Sequence, residues 1–254
     1  MGAPVDLIRV EQIMGMPIEI DVRTAGVDPV ALDHAFDSLR DVDACFSTYR
    51  TDSEISRLNR SELALGQASD EVRAVLAQCE QLRLETDGFF DVAFADGRGL
   101  DPSGFVKGWA VDRAAQVLER RGARAYFINA GGDIRTAGGP EPGLPWRVGI
   151  RHPFEHDRVA AVVEVANAAI ATSGAYERGD HVFNPHTHSP PGGVLSVTVI
   201  GPDLALADAY ATAAFAMGQS GAQWLAGRRD YEAMVIRSDQ TVQFTQGFPS
   251  VATD

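Results

Sequence analysis

The chain has 254 residues, 45% of them hydrophobic and 22% charged, which is the make-up of an ordinary globular protein with volume for a sizeable core. A formal net charge of -13 argues against general binding to nucleic acid or to anionic membrane surfaces, since both need a cationic face. No apolar run approaches the roughly 18 residues of a membrane span. The opening MGAPVDLIRVEQIMG lacks the basic start and long apolar core of a signal peptide, so a cytoplasmic location is expected. Cys45 and Cys79 fall in helical patterns without metal-ligand spacing and are expected to be buried free thiols.

In chain order, residues 5–24 alternate apolar and polar side chains (Ile18, Ile20 and Val22 against Glu19, Asp21 and Arg23) around a Met-Gly-Met-Pro turn, which predicts half-buried strands. An amphipathic helix is predicted over 28–47, with Asp28 at its N-cap and Pro29 at its first position. Thr51, Asp52 and Ser53 can cap a short helix over EISRLN, and another helix runs over about 70–86. In LDPSGFVKGWAVDRAAQVLERRG, apolar residues recur at helical spacing from Ala110 to Leu118, and Gly122 stands where a helix ends. AYFIN reads as a buried strand turned sharply by GGD. WRVGIRHP is a further strand, and 159–165 and 168–172 read as a strand pair joined through Ala166-Asn167. After the polar stretch TSGAYERGDHVFNPHTHSPPGG come a buried strand (LSVTVIGP), a small-residue helix over 205–217, a helical piece over 220–228, and a closing hairpin around Asp239-Gln240. Without repeats or a long linker, the sequence predicts one α+β domain over 1–254 with antiparallel strands and packed helices.

Four clusters carry candidate chemistry. Gly104 and Gly108 bracket Lys107 at a helix start, where free N–H groups and a positive side chain favour an anionic ligand, and the GGD turn brings Asp133 to a place of close backbone approach. Asp208 and Thr212 are four apart, share a helix face, and together offer oxygens to a hard cation; the plainer reading makes Asp208 a first-turn dipole partner and Thr212 a back-bonded hydroxyl. Three of the six histidines (His181, His186 and His188) lie in the polar stretch; the His-x-His pair lacks a third soft ligand for zinc, and His181 is the better general-base candidate. Tyr49, Met14 or Met16, and the run Phe89-Phe90-Asp91 offer flat or soft contacts to an aromatic ligand, although such residues are ordinary core in most chains. The chain has no G-x-S-x-G elbow, no Walker A loop and no ordered G-x-G-x-x-G, which sets aside serine hydrolases, P-loop enzymes and Rossmann dehydrogenases.

Taken together, MGMPIEI, FSTYRTDSEISRLN, GFFDVAF, LDPSGFVKGWAVD, INAGGDIRTAGG, WRVGIRHP, AIATSGAYER, HVFNPHTHSP, SVTVIGP and ADAYATAAFAMG, in that order from about residue 13 to residue 218, resemble the ApbE-type FAD:protein FMN transferases. The resemblance implies an α+β fold of the ApbE type and a magnesium-dependent reaction in which a threonine (or serine) hydroxyl of an acceptor protein takes FMN from FAD and AMP leaves. By motif position, Asp208 and Thr212 resemble the metal-binding pair, with the Gly104 carbonyl as a further ligand. Met14, Tyr49, Phe89, Phe90, Asp91, Asp101 and Lys107 match positions lining the FAD site, and His181 matches a histidine needed for transfer, most simply as the base. The chain departs from the pattern at Ala211, which is acidic in some members, at Asn184 for the usual aspartate, at Thr187-His188 for Thr-Gly, and at Ala175-Tyr176 for Asp-Tyr. Many members are exported lipoproteins, and without such a signal a cytoplasmic acceptor is the simpler expectation. FAD hydrolysis to FMN and AMP, or FAD binding without turnover, are the alternatives.

Overall fold

In the computed structural model, which describes residues 7–93, 99–155, 158–174, 183–187, 189–249 and 251–252, the alternating N-terminal stretch forms a hairpin of β1 (Leu7–Ile13) and β2 (Met16–Val22). Ile18, Ile20 and Val22 are fully buried on one face, as period-two alternation requires. β3 (Tyr126–Ala130), β4 (Asp133–Ala137), β7 (Ala169–Gly174), β8 (Val194–Gly201), β9 (Glu232–Arg237) and β10 (Val242–Phe244) extend it into an antiparallel sheet of order β1-β2-β3-β4-β7-β8-β9-β10. β5 (Trp146–Arg151), β6 (Val159–Val165) and β11 (Val251–Ala252) make a separate three-stranded sheet.

The helices are α1 (Val30–Phe46), α2 (Glu54–Asn59), α3 (Asp70–Glu85), α4 (Ser103–Arg120), α5 (Leu204–Ala216) and the short α6 (Gly221–Leu225). Their starts follow the capping residues. The Ser53 hydroxyl accepts from the Ser56 N–H, and Ser69 caps α3 from the Val72 N–H. Asp28 Oδ1 accepts from the Val30 N–H at 2.9 Å, but Pro29 rather than Asp28 holds the N-cap position, and α1 begins one residue later than the proline pattern predicts.

The large sheet has a different partner on each face. Ala169, Ala171, Val197, Val199 and Val235 pack with the helices, including Val111 and Leu118 of α4 and the alanines of α5. Ile134, Ile170, Ile200, Met234 and Ile236 pack against Trp146, Val148 and Ile150 of β5 and Val163 and Val165 of β6. Helices and antiparallel sheets thus share two cores, the α+β architecture expected.

One predicted pairing is corrected. β6 and β7 are consecutive but do not pair: β6 lies between β5 and β11, and β7 lies between β4 and β8. The turn between them is tied to β4 instead, the Thr136 N–H donating to the Ala168 carbonyl at 2.8 Å and the Gly138 N–H to Asn167 Oδ1 at 3.0 Å. β6 buries one face only, whereas β7 is buried on both, so each suits a different sheet. Of the two free thiols, Cys79 is buried but Cys45 only half so.

Candidate functional site

The site is built on the first turns of α4. The Asn59 side chain at the end of α2 holds Leu100 by both backbone groups, accepting its N–H at 2.8 Å and donating to its carbonyl at 3.0 Å. The Asp101 N–H donates to the Val92 carbonyl at 2.7 Å, while Asp101 Oδ1 accepts from the Ser103 N–H at 3.0 Å. Pro102 stands at the N-cap, just before the helix, where no N–H of its own is needed. Asp101 thus braces the turn that leads into α4, at the edge of the cavity described below. Gly104 lies over Phe90, where an added Cβ would stand 3.5 Å from the ring.

Lys107, on the next turn, meets two carboxylates from distant parts of the sequence. The Gly131-Gly132 turn, with both residues at positive φ, delivers Asp133 at the start of β4. Asp133 is 1% exposed, pairs through Oδ2 with the Lys107 ammonium, and accepts the Thr172 N–H through Oδ1 at 3.3 Å. Asp208, 3% exposed, lies with its Oδ2 3.5 Å from Lys107 Nζ. It falls in the second turn of α5, past the positions where a side chain caps a helix, so the plainer dipole reading of this residue does not fit. One turn on, Thr212 Oγ1 is 3.2 Å from Ser173 Oγ, bonding across to β7 rather than only along its own helix.

Lys107, Asp208, Thr212 and Ser173 line a cavity of about 1040 Å³, at the upper end of small-molecule sites, with Asp133 buried behind Lys107. Met14, Tyr49, Phe89, Phe90, Asp91, Asp101, Gly104, Lys107, Asp208 and Thr212 all line it, so ten residues singled out from the sequence meet in one place. Their settings differ. Met14 occupies the β1–β2 turn with Gly15, at φ of +55° and +74°, which presents its side chain to the cavity. Tyr49 is 96% exposed at the mouth, whereas Phe90 is 3% exposed and belongs as much to the core as to the wall. Asp91 is exposed and accepts the Ala93 N–H at 2.8 Å.

Arg50, Phe183 and Pro185 line the same cavity and went unrecognised in the sequence, although Arg50 follows Tyr49 and Phe183 stands two residues after His181. The segment 183–187 is held by Asn184 Oδ1, which accepts the N–H groups of His186 and Thr187 at 2.9 and 3.2 Å. His186 donates from Nε2 to the Asp87 carbonyl at 2.9 Å and meets Phe89 edge-on, with ring centroids 4.6 Å apart. His181, His188, Ala175 and Tyr176 lie outside the described residues. Among the described residues, no three His, Cys, Asp or Glu side chains gather as a metal cluster, so an ion here would draw on hydroxyl and carbonyl oxygens as well.

The model of the ApbE family matches residues 14–98 and 95–235 of this chain. The FAD:protein FMN transferase of Vibrio cholerae serotype O1 is 28% identical over 79% of this chain and 78% of its own length. That of Rhodobacter capsulatus is 36% identical over 55% of this chain, which spans only 28% of that longer protein. The crystal structure of the ApbE protein from Thermotoga maritima superposes with a TM-score of 0.85 at 21% identity, covering 96% of this chain and 98% of that one, a likeness of fold.

Proposed function

This chain belongs to the ApbE family, and we propose that it acts as a single-domain enzyme that moves FMN from FAD to a threonine (or serine) hydroxyl of an acceptor protein, with magnesium and release of AMP. The observation that carries the reading is the meeting of Lys107, Asp208 and Thr212, with Asp133 paired to the lysine, at a cavity large enough for a dinucleotide.

The residues present suit a hard cation. Asp208 and Thr212 offer oxygens one helical turn apart, Gly104 offers its carbonyl at the facing helix start, and the two buried carboxylates make the local field negative. Magnesium bound there supplies polarisation of the phosphoryl oxygens and stabilisation of the departing phosphate charge. The chain's own groups do the rest. Met14, Tyr49, Phe89 and Phe90 give the flavin apolar and stacking surface, and Asp91 and Asp101 give it polar contacts. Lys107 places an ammonium beside the pyrophosphate and offsets one of the two carboxylate charges, so the three groups together keep a net negative charge that suits a cation. His181 takes the proton of the attacking hydroxyl; the new oxygen–phosphorus bond forms on the FMN side as the bond to the AMP oxygen breaks, and AMP leaves with the electron pair. No described helix is long and apolar enough to cross a membrane.

The test mixes the protein with FAD, magnesium and an acceptor bearing a candidate threonine, then reads acceptor mass and nucleotide products. An FMN-sized gain on the acceptor with matching AMP is expected. Asp208→Ala should lower turnover more than a hundredfold, and His181→Ala should slow transfer far more than it weakens FAD binding. Free FMN and AMP without an adduct would replace transfer by hydrolysis, and FAD that binds but stays intact would leave only a binding protein.

A further inference from the structure

α5 carries two of the proposed metal oxygens, yet its own start does not hold it in place. Asp203 stands at the N-cap position and makes no capping bond with its side chain; its Oδ2 accepts the Tyr231 hydroxyl at 3.3 Å. The free N–H groups of the first turn are served from another helix. Asp112 of α4 accepts the Ala205 N–H through Oδ2 at 3.0 Å. Beside it the two backbones touch: a Cβ on Gly108 would fall 2.5 Å from the Leu204 carbonyl oxygen and 2.7 Å from the Ala205 nitrogen. Only glycine fits that crossing, so the helices are locked at one separation by contact and at one rotation by the cap.

The third member is Arg135 of β4, whose Nε is 3.4 Å from Asp112 Oδ1. Asp112 thus touches the same three elements that meet at Lys107. The steps from one meeting point to the other are short on each element: five residues along α4 from Lys107 to Asp112, three along α5 from Ala205 to Asp208, and two along β4 from Asp133 to Arg135. A helical turn rises about 5.4 Å and two strand residues about 6.6 Å, so a shift at the Asp112 end reaches the Lys107 end almost undiminished. Burial pushes the Asp112 carboxyl up to about 6 against the opposing pull of the α5 N–H groups and Arg135, so the carboxylate stands in this seam at a cost in desolvation.

We propose that Asp112 is a positioning residue that caps α5 from α4, and thereby sets Asp208 and Thr212 in register with Lys107 and Gly104 for cation binding. The inference rests on reading Asp208 and Thr212 as metal-binding oxygens, and the experiment separates the two.

Mn²⁺ alone, titrated calorimetrically or by its free-ion resonance, reads the site without turnover, and near-ultraviolet circular dichroism confirms the fold of each variant. Asp112→Ala should weaken Mn²⁺ at least tenfold. Asp112→Asn, which keeps an acceptor for the Ala205 N–H, should stay within about threefold of the parent, and Asp203→Ala should bind like the parent. Gly108→Ala, which must push α5 away by backbone contact, should reproduce the loss and carries the test if Asp112→Ala does not fold. A merely structural role would lower the melting temperature of the variants and leave Mn²⁺ affinity unmoved. Parent-like affinity in folded Asp112→Ala, or in Gly108→Ala where that variant stands in, overturns the inference, as does an equal loss in Asp203→Ala. If Mn²⁺ fails to bind the parent, or binds Asp208→Ala equally well, the metal reading falls and the inference with it.

Discussion

The two faces of the large sheet solve the same burial problem in opposite ways. Toward the three-stranded sheet, Ile134, Ile170, Ile200 and Met234 interlock with Trp146, Ile150 and Val163, large side chains filling the space between two sheets. Toward the helices, β7 presents Ala169 and Ala171, and α5 answers with Ala207, Ala211 and Ala214, all fully buried. Small residues let backbones come close, as at Gly108, and the room left at the end of the seam goes to the cavity and its ion cluster. In physical terms, one face maximises apolar burial, and the other gives some of it up to hold charge near a ligand.

If that contrast is right, charge removal should hurt on the helix face most. Lys107→Met leaves Asp133 and Asp208 facing each other without this cation, and should cost about 3–5 kcal/mol of stability in urea unfolding, the usual penalty for a broken buried pair. A loss below about 1 kcal/mol would show that the cluster is better solvated than its burial indicates.

A smaller and pH-dependent effect belongs to Asp112. Its folded carboxyl binds a proton more tightly than the unfolded one, because burial raises it from the ordinary aspartate range to about 6. The stability linked to that proton is complete below about pH 4 and is lost as pH rises through about 6. Relative to Asp112→Asn, which has no such proton, the parent should therefore lose on the order of 2 kcal/mol between those limits. A flat difference across that window would mean that Asp112 keeps its ordinary acidity.

The mildest probe tests the other face. Ile150→Val trims one methylene from the inter-sheet core and should cost about 1 kcal/mol, with FAD binding unchanged. A change in FAD affinity would show that the two faces communicate.

Much of this arrangement was legible in the sequence because it rests on local signals. Alternation at Ile18, Ile20 and Val22, the Ser53 cap, the glycine after α4 and the four-residue spacing of Asp208 and Thr212 each act within a turn or two of chain. The motifs' order allowed the cavity residues to be gathered before any geometry was known. What escaped depends on partners far apart in sequence. The separation of β6 from β7 is decided by Thr136 and Gly138 of the β4 region, and the cap on α5 comes from Asp112, ninety-three residues before the N–H it receives. Asp203 stands at the N-cap position of that helix, but its carboxylate is engaged by Tyr231 instead of the helix N–H groups. Arg50 and Phe183 carry no periodic or spacing signal, and only the folded wall of the cavity identifies them.

The turn between β1 and β2 shows how a design program and this molecule would part ways. Two residues at positive φ join these strands, and the most favourable pair for such a turn is Asn-Gly, whose first side chain tolerates the left-handed conformation. The chain has Met14 there, a residue poorly suited to that backbone but with a thioether lying on the cavity wall. Optimising the scaffold alone would choose Met14→Asn and gain a tighter hairpin at the expense of the ligand's surroundings. The position illustrates why engineering for heat tolerance in such a protein should leave a wall residue held at positive φ untouched.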